Sequence, residues 1–394
     1  FTPKEIDHLW ELMNSFERQS LVPLRNGDDL LYGPREVFVS DLRSVNSEAA
    51  LRMKAPQIFQ VLKERVYPKR ATDRDPKLRE FWWKFRRSNE DYFALKQGLP
   101  RYVATVETAK HRLFFFVDAS ILIEHGTIAF GMSDAANLAM LSARHHIVWS
   151  LASGGTLEDR PRYNKVRCFD PFPFPEPTDA IRTTLRDLGE ELDATRKTVQ
   201  AEHPDLTLTG LYNVLEKIRA GTPLDAKDQD VKERGRVLIL KDLHDQIDRA
   251  TADAYGWPHD LSDEQILERL VALNAERAAE EAAGHVRWLR PDYQIPRFAK
   301  GAAAKSGQLD LGETVVAIDK SLPVFPKDKG EQVMAIRAVL VASGRPMDAA
   351  AVSRAFKGGG KKIEQRVVQA LNTLVRYAEI SALPGGTYAA RRAA

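Results

Sequence analysis

The sequence holds a single cysteine, Cys168, in 394 residues, which excludes an internal disulfide bond. One thiol is typical of proteins in a reducing compartment, so we expect a cytoplasmic location. Long apolar runs are also missing, because no stretch approaches the roughly 20 apolar residues of a membrane-spanning helix. We also expect no signal peptide before the first helix-like segment. We therefore expect no membrane partner.

Motifs for catalysis are equally scarce. A nucleotide or methyl-donor site needs a glycine-rich turn after a strand, and the densest glycine cluster, residues 358–360, lies between helix-like segments and is interpreted as a flexible turn. Residues 225–227 and 230–232 read Asp-X-Lys, a fragment of some nuclease motifs, but lack an upstream acid on a strand. His145–His146 has no companion ligand at helical spacing, and Cys168 has no neighbouring base. The sequence predicts neither catalytic residues nor a metal site here.

Length and charge are informative where motifs are not. A chain of 394 residues suggests two to four domains, and its 43% hydrophobic fraction is enough for globular packing. It begins at Phe1 without a methionine, so we expect a piece of something longer. The net charge is only +3, but residues 50–112 hold 16 lysines and arginines against 7 acids, residues 178–285 hold 14 against 23, and residues 286–394 hold 18 against 9. Such segregation is typical of a local nucleic-acid contact.

Aromatic and cationic residues alternate within the first basic stretch. Residues 81–87 read FWWKFRR, and residues 101–116 read RYVATVETAKHRLFFF. The mixture suits a groove that neutralises phosphates while rings touch bases or sugars. The alternative is that long Lys and Arg stems only cover apolar surface. We predict these nucleic-acid-contacting side chains: Arg65, Lys69, Arg70, Trp82, Trp83, Lys84, Arg86, Arg87, Arg101, Lys110, His111, Arg112, Lys165 and Arg167.

The two tryptophans cannot share this role if their segment is extended, because neighbouring side chains of a strand alternate faces. We expect one ring in the core, with the other free to line the groove.

Periodicity predicts an α+β fold. The patterns indicate helices over residues 3–19 and 47–64, a turn at 26–29, a basic loop at 65–75, strands at 37–42, 101–105, 113–117 and 121–131, and a helix from Ser133 to about Leu151. From residue 178 apolar residues recur every three or four positions, which indicates a helical bundle, with a capping box at Ser262 and Gln265. The predicted segments are a connector (1–48), a mixed α/β recognition domain (49–177), a helical domain (178–298), a linker (299–326) and a C-terminal domain (327–394).

Residues 161–175, PRYNKVRCFDPFPFP, favour neither helix nor central strand, because prolines remove backbone donors. We interpret them as an extended latch in which Phe169, Phe172 and Phe174 are buried anchors. After the small-residue linker 301–307, three helices are predicted at 331–343, 348–356 and 361–376, followed by two strands about the turn 384–386. This order is the winged-helix pattern, with residues 361–376 in the recognition-helix position. Contact with DNA and contact with protein are both open for that tail.

Four segments in one order resemble a known family. They are WWKF (82–85), RYVATVETAKHRLF (101–114), SARH (142–145) before Trp149, and RYNKVRCFDPFPFP (162–175). Over roughly residues 1–298 the chain is similar to the target-recognition half of class I S-adenosylmethionine-dependent DNA adenine methyltransferases. That family includes fused Type IIG and IIL restriction–modification enzymes and methyltransferases of phage-defence systems such as BREX and DISARM.

The resemblance implies methyl transfer from S-adenosylmethionine to adenine N6 by a catalytic loop of Asn/Asp-Pro-Pro-Tyr/Phe type. This sequence has no Asn-Pro pair, and Asp170-Pro171-Phe172-Pro173 belongs to the latch, so no cofactor is expected in this chain. The implied partners are double-stranded DNA, an upstream methyltransferase domain that binds S-adenosylmethionine, and other defence-system subunits. Residues 1–48 would then be either the connector to that domain or its end. By analogy, base-reading residues are expected in loops 107–112, 124–126 and 162–167. Two alternatives remain: a stand-alone DNA-binding or scaffold protein, and a specificity subunit acting with a separate catalytic subunit.

Overall fold

The computed structural model describes residues 1–87, 89–157, 160–299, 323–326, 328–343, 346–357, 361–376, 380–383 and 387–390. Two compact units are present: Phe1–Glu281 with Trp288–Tyr293, and Ala282–Arg287 with Gln294–Ala394. The α+β prediction is confirmed. The linker 301–307, the glycines 358–360 and the turn 384–386 lie outside the described residues, and the five segment boundaries remain a prediction.

The first unit begins with short helices around a small sheet. Its first elements are α1 Pro3–Trp10, α2 Ser15–Ser20, β1 Leu21–Arg25, α3 Gly27–Tyr32, β2 Val37–Ser40, α4 Glu48–Lys54, α5 Pro56–Arg65, α6 Tyr67–Ala71, α7 Pro76–Glu80 and α8 Glu90–Lys96. Strand β1 pairs antiparallel with β2 and parallel with β5, Leu122–Ile123.

Three sequence expectations in this region are wrong. The helix expected over residues 3–19 is two helices, because the Asn14 side chain accepts a hydrogen bond from the Glu17 amide and starts α2. The turn expected at 26–29 is the start of α3, which Asn26 caps in the same way. The loop expected at 65–75 contains α6 and ends just before α7, and both helices carry proline in the first turn, where its missing N–H costs nothing.

A three-stranded antiparallel sheet forms the centre of the unit. It consists of β3 Arg101–Val106, β4 Phe114–Asp118 and β6 Thr127–Phe130 in the order β4-β3-β6. The strands expected at 101–105 and 113–117 are therefore confirmed, with Val103 opposite Phe116. Helix α9, Ala135–Ser142, is buried along its whole length. Asp134 rather than Ser133 caps it, and an extended Ala143 separates it from α10, Arg144–Ser153.

The latch region is less extended than expected. A small hairpin is formed by β7 Gly155–Leu157 and β8 Arg160–Arg162, and a π-helical turn follows at Lys165–Phe169. The Asn164 side chain starts this turn by accepting hydrogen bonds from the amides of Val166 and Arg167. Phe172 is 5% exposed, whereas Phe169 and Phe174 are only partly buried.

Long helices complete the first unit: α11 Asp179–Glu202, α12 Leu208–Arg219, α13 Ala226–Arg234, α14 Val237–Tyr255 and α15 Asp263–Ala282. The short helix α16, Pro291–Phe298, begins in the first unit and ends in the second. The capping box at Ser262 and Gln265 is confirmed. Helices α9 and α11 pack so closely that a Cβ on Gly189 would lie 2.2 Å from the Ala135 carbonyl oxygen. One buried cluster joins residues of β3, β4 and α9 to residues of α11, α12 and α14.

Polar side chains of α11 satisfy the open edge of β4. Arg196 donates to the Phe114 carbonyl at 3.0 Å, and Asp193 accepts from the Phe116 amide at 3.0 Å. Lys197 donates to the Phe116 carbonyl at 2.9 Å. An unpaired strand edge would otherwise expose backbone donors and acceptors, so α11 covers this edge of the sheet.

The second unit contains α17 Lys329–Ser343, β9 Met347–Asp348, α18 Ala349–Arg354, α19 Lys361–Arg376, β10 Ile380–Leu383 and β11 Thr387–Ala390. Strand β11 pairs antiparallel with both β10 and β9. The three helices and two strands expected from the sequence are confirmed, within a residue or two at their ends. A separate buried cluster joins them, centred on Ile336, Leu340, Val352, Val367 and Leu371.

Candidate nucleic-acid interface

The two adjacent tryptophans of the aromatic–cationic segment are both buried. Trp82 is 1% exposed and Trp83 is 6% exposed. Trp82 makes edge contacts with Tyr67 of α6 at 5.1 Å and with Phe59 of α5 at 5.9 Å between ring centroids. The expectation that one ring lines a groove is wrong. Residues 81–83 form a turn rather than a strand, so neighbouring side chains need not face opposite sides.

The cations around this aromatic core lie on its outside. Arg86 and Arg87 are exposed and make no hydrogen bond or ion pair with any described residue. Lys69 is exposed and Arg70 half-buried on α6, and their side chains are likewise without partners in the described parts of the chain. Four of the predicted cations therefore remain free to meet an anion.

Two further predicted cations near this core are partly engaged. Arg65 pairs with Glu5 at 2.6 Å, and this hydrogen bond lowers the pKa of the Glu5 carboxyl to about 2. The Arg65 side chain is nevertheless 56% exposed. Lys84 donates to the Arg43 carbonyl at 3.1 Å and to Asn46 Oδ1 at 3.0 Å. An exposed ion pair such as that of Arg65 and exposed hydrogen bonds such as those of Lys84 are weak, so either cation can exchange its partner for a phosphate at low cost.

Arg101 has a structural role instead. Its guanidinium forms a two-pronged ion pair with Glu190 of α11, one prong measuring 2.8 Å, and also donates to the Ser133 carbonyl at 3.2 Å. The same group lies 3.6 Å from the Phe116 ring centroid. The guanidinium is held by Glu190, by the Ser133 carbonyl and by the Phe116 ring. It therefore cannot bind a phosphate without breaking the contact between β3 and α11.

Arg112 is the most buried of the predicted cations, at 8% exposure. Its guanidinium donates to the carbonyl oxygens of Val106, Glu107 and Pro161, the last at 3.1 Å. Burial lowers its pKa to about 10, so it stays charged at neutral pH. The prediction that Arg112 meets a phosphate is wrong, because this side chain fastens β8 to the loop after β3.

Lys110 and His111 face the acidic helices. Lys110 donates to Asn213 Oδ1 at 2.6 Å, and His111 lies 2.9 Å from the same oxygen and 3.3 Å from Glu216. Together with the ion pair between Arg101 and Glu190, these contacts show that part of the basic stretch binds part of the acidic stretch within the protein. The basic residues of the β3–β4 hairpin complement acids of α11 and α12 inside the protein.

The latch contributes one free cation and one paired cation. Lys165 pairs with Asp170 at 2.5 Å, whereas Arg167 is exposed on the π-helical turn and has no partner within the described ranges. Beside it, Val166 is 70% exposed. This turn therefore presents an accessible surface of mixed character.

Sequence reasoning missed two cations that the structure places with the free ones. Arg74 lies just before α7 and Lys77 lies on it, and both side chains are exposed without a partner in the described structure. They belong to the basic stretch of residues 50–112, and the local excess of Lys and Arg is the sequence signal that could have identified them. We define the cationic surface as Lys69, Arg70, Arg74, Lys77, Arg86 and Arg87.

Other kinds of site are not evident in the described residues. No cluster of three or more His, Cys, Asp and Glu side chains is suited to a metal ion there. None of the helices in the described part is long and apolar enough to cross a membrane. A cavity of about 370 Å³ lies between α14, α15 and Pro175, beside the stacked rings of Tyr255 and Trp257, but none of the predicted residues lines it.

The fold is related to that of a restriction–modification enzyme. A solved structure with a similar fold is that of the Type IIL restriction-modification enzyme MmeI in complex with DNA, with a TM-score of 0.51 and 16% sequence identity. The match covers 71% of this chain and 34% of that chain, so this chain spans about a third of the length of that protein. No protein-family model and no curated protein matches the sequence.

Proposed function

We propose that this chain is the DNA-binding specificity region of an S-adenosylmethionine-dependent adenine-N6 DNA methyltransferase in a restriction–modification or phage-defence system. The catalytic domain that binds the methyl donor lies outside this chain. The observation that carries the proposal is the cationic surface, supported by fold similarity to a restriction–modification enzyme that was solved with DNA.

The cationic surface supplies non-specific affinity. These six residues lie between positions 69 and 87, in the segment whose Trp82 and Trp83 are buried in the aromatic core, so folded structure rather than a flexible tail carries them. Each cation that meets a phosphate releases close to one counterion from the duplex, which makes binding strongly dependent on salt. Such contacts fix the position of the protein on DNA without reading sequence.

Sequence reading belongs to exposed loops around the sheet. Among the loops expected from family resemblance, His125 and Arg167 present exposed side chains with no partner in the described structure, and Lys110 is 58% exposed. Arg112 is excluded because its donors are occupied. A base-reading side chain is expected to relax preference at one position, at about 1–3 kcal/mol.

The test replaces Arg86 and Arg87 by alanine in the 394-residue chain. Binding to fluorescently labelled duplexes of several sequences is measured by anisotropy at a series of salt concentrations. We expect weaker binding to all sequences alike and a slope of log K against log salt that is flatter by about 2.

The matched control is Lys227→Ala with Arg249→Ala, which removes two exposed cations without partners in the described structure from the acidic helical region. This variant is expected to keep the slope of the unmodified chain. If the two double variants behave alike, or if the unmodified chain does not bind DNA at low salt, the proposed function is wrong.

A further inference from the structure

The cavity at the end of α14 has the size of a small-molecule site. Its volume is about 370 Å³, and ligand pockets typically measure about 300–1,000 Å³. Its walls come from the end of α14, from one face of α15 and from the end of the latch at Pro175 and Glu176. All of the lining residues belong to the first unit, and none belongs to the cationic surface. The cavity is therefore a candidate site distinct from the proposed DNA contact.

A glycine turn builds the aromatic wall of this cavity. Gly256 has a φ of +67°, a left-handed conformation that glycine adopts without strain. It ends α14 in a Schellman motif, in which the Trp257 amide donates to the Ala252 carbonyl at 2.9 Å. This turn stacks the Trp257 ring on Tyr255, with centroids 4.2 Å apart and planes inclined by 13°. The Tyr255 hydroxyl donates to the Pro173 carbonyl at 2.8 Å, so the wall is fixed to the latch.

One face of α15 supplies a charged wall. Arg269, Ala272, Leu273 and Glu276 line the cavity, and their spacing by three and four places them on the same side of the helix. The small side chain of Ala272 lies between the two charged ones and leaves space there. Arg269 and Glu276 are both exposed, and neither makes a hydrogen bond or an ion pair with a described residue. A donor group and an acceptor group are therefore available on one rigid face.

A second pair of charged side chains completes the lining. Arg277 Nη2 lies 3.4 Å from a carboxylate oxygen of Glu176, and its Nη1 lies 3.2 Å from Glu280. The Nε of Arg277 is buried and has no hydrogen-bond partner among the described residues. A buried donor without an acceptor is unfavourable, so a ligand acceptor that reached it would stabilise the site. The cavity thus combines two guanidiniums and two carboxylates with a flat aromatic wall.

We propose that this cavity binds a guanine base. Bases stack on aromatic side chains and on guanidinium planes, and the Arg269 guanidinium lies 5.8 Å from the centroid of the Trp257 ring. Guanine presents two adjacent donors, N1–H and the N2 amino group, which match the two oxygens of a carboxylate such as Glu276. Its O6 and N7 are acceptors that match a guanidinium. The base therefore uses all three kinds of group in the lining.

Other ligands use this lining less completely. Adenine lacks the pair of adjacent donors that a carboxylate requires. A bare phosphate leaves the aromatic wall without a contact, and an apolar peptide would bury charged side chains without replacing their hydration. Two sources of the base share the same chemistry, a free guanine nucleotide and an unstacked guanine of single-stranded DNA. The inference does not rest on the proposed function, because the two sites share no residue.

The test is isothermal titration calorimetry of the 394-residue chain with GMP and with AMP. We expect saturable binding of GMP below about 1 mM and an affinity for AMP that is lower by about 5- to 150-fold. Trp257→Leu removes the stacking surface and Glu276→Gln removes the carboxylate, and each is expected to weaken GMP binding by about 5- to 150-fold. Glu276 is exposed, so its variant tests the site even if Trp257→Leu does not fold.

Glu268→Gln is the matched control, because Glu268 is an exposed carboxylate of α15 outside the cavity lining. It is expected to bind GMP like the parent. Equal affinities for GMP and AMP, or an unchanged affinity for GMP in Glu276→Gln, would overturn the inference. The Arg86/Arg87 variant is expected to bind GMP normally, so this inference and the proposed function fail independently.

The source of the base is identified with a short thymine oligonucleotide that carries a single guanine, compared with the all-thymine oligonucleotide. Tighter binding of the guanine oligonucleotide than of GMP, lost in Glu276→Gln, assigns the site to single-stranded DNA. Binding of GMP without any preference for the guanine oligonucleotide assigns it to a free nucleotide. If neither guanine probe binds in preference to its control, the cavity is not a guanine site.

Discussion

The indole Nε1 of Trp82 donates a hydrogen bond to the carboxylate of Glu48, 3.0 Å away. This bond is the largest cause that lowers the pKa of Glu48, followed by the hydrogen bond from Arg52. It ties the start of α4 to the ring around which α5 and α6 pack. A residue that sequence reasoning placed at a DNA surface thus holds α4, α5 and α6 together, and α6 carries Lys69 and Arg70 of the cationic surface.

Replacement of Trp82 by alanine is expected to lower the free energy of unfolding by about 3–5 kcal/mol, because it leaves a large cavity among Phe59, Tyr67 and Trp83. The control is Phe85→Ala, since Phe85 is 39% exposed and its removal leaves no cavity. Urea-induced unfolding followed by circular dichroism measures both. A loss below 1 kcal/mol for Trp82→Ala would contradict the proposed core.

Replacement of Phe172 by alanine tests the latch. Its ring stacks on His146 with centroids 4.5 Å apart and also contacts Trp149 and Phe174. We expect a loss of about 3–5 kcal/mol in unfolding free energy. Val166→Ala is the matched control on the exposed side of the same segment. A melting temperature within a degree of the parent would show that the latch does not anchor the domain.

Arg112→Leu separates structural cations from DNA-binding ones. The substitution removes the Arg112 donor from the carbonyl oxygens of Val106 and Pro161, so we expect destabilisation of about 1–3 kcal/mol. Anisotropy titrations of the folded variant should give the same salt dependence of DNA binding as the parent. A slope flattened as much as in the Arg86/Arg87 variant would mean that Arg112 reaches a phosphate after all.

Acid sensitivity follows from buried histidines. His146 accepts or donates a 3.0 Å hydrogen bond with the Tyr163 hydroxyl, and burial, aided by the charge of Arg112, lowers its pKa to about 3. Below its ordinary pKa of about 6.5 the unfolded chain binds a proton that the folded chain does not bind. The contribution of His146 to the free energy of unfolding is therefore fully present above pH 6.5, and it is lost as the pH falls from 6.5 toward 3.

For His146 alone the expected slope is about 1.4 kcal/mol per pH unit in that window. His145, whose pKa burial lowers to about 4, adds to the effect. Urea unfolding at pH values between 7 and 4.5 measures the slope of the unfolding free energy against pH. His146→Gln is expected to reduce this slope by about 1.4 kcal/mol per pH unit. His125→Gln, on an exposed loop, should not; equal slopes in the parent and the His146 variant would refute the assignment.

The absence of a glycine-rich turn and of an Asn-Pro loop predicts that this chain alone binds no S-adenosylmethionine and methylates no DNA. Isothermal titration calorimetry of the 394-residue chain with S-adenosylmethionine should show no binding heat. A protein known to bind S-adenosylmethionine serves as the positive control. Micromolar binding would place the catalytic function in this chain and overturn the division proposed above.

The sequence alone determined the features that depend on neighbouring residues. Helices α11, α14 and α19 follow from apolar residues spaced by three and four, and β3 and β4 follow from short apolar runs around a polar loop. The capping box at Ser262 follows from two side chains three residues apart. Each of these signals is contained within one helix or one strand, so no long-range contact is needed to interpret it.

Only the tertiary structure decided which cations are free. Arg86 and Arg101 look alike in sequence, but Arg101 meets Glu190, 89 residues away, whereas Arg86 meets no described partner. Arg112 is likewise occupied by the Pro161 carbonyl, 49 residues away. The charge of an arginine is a property of its sequence, but its availability depends on whether folding brings an acceptor within about 3 Å of the guanidinium.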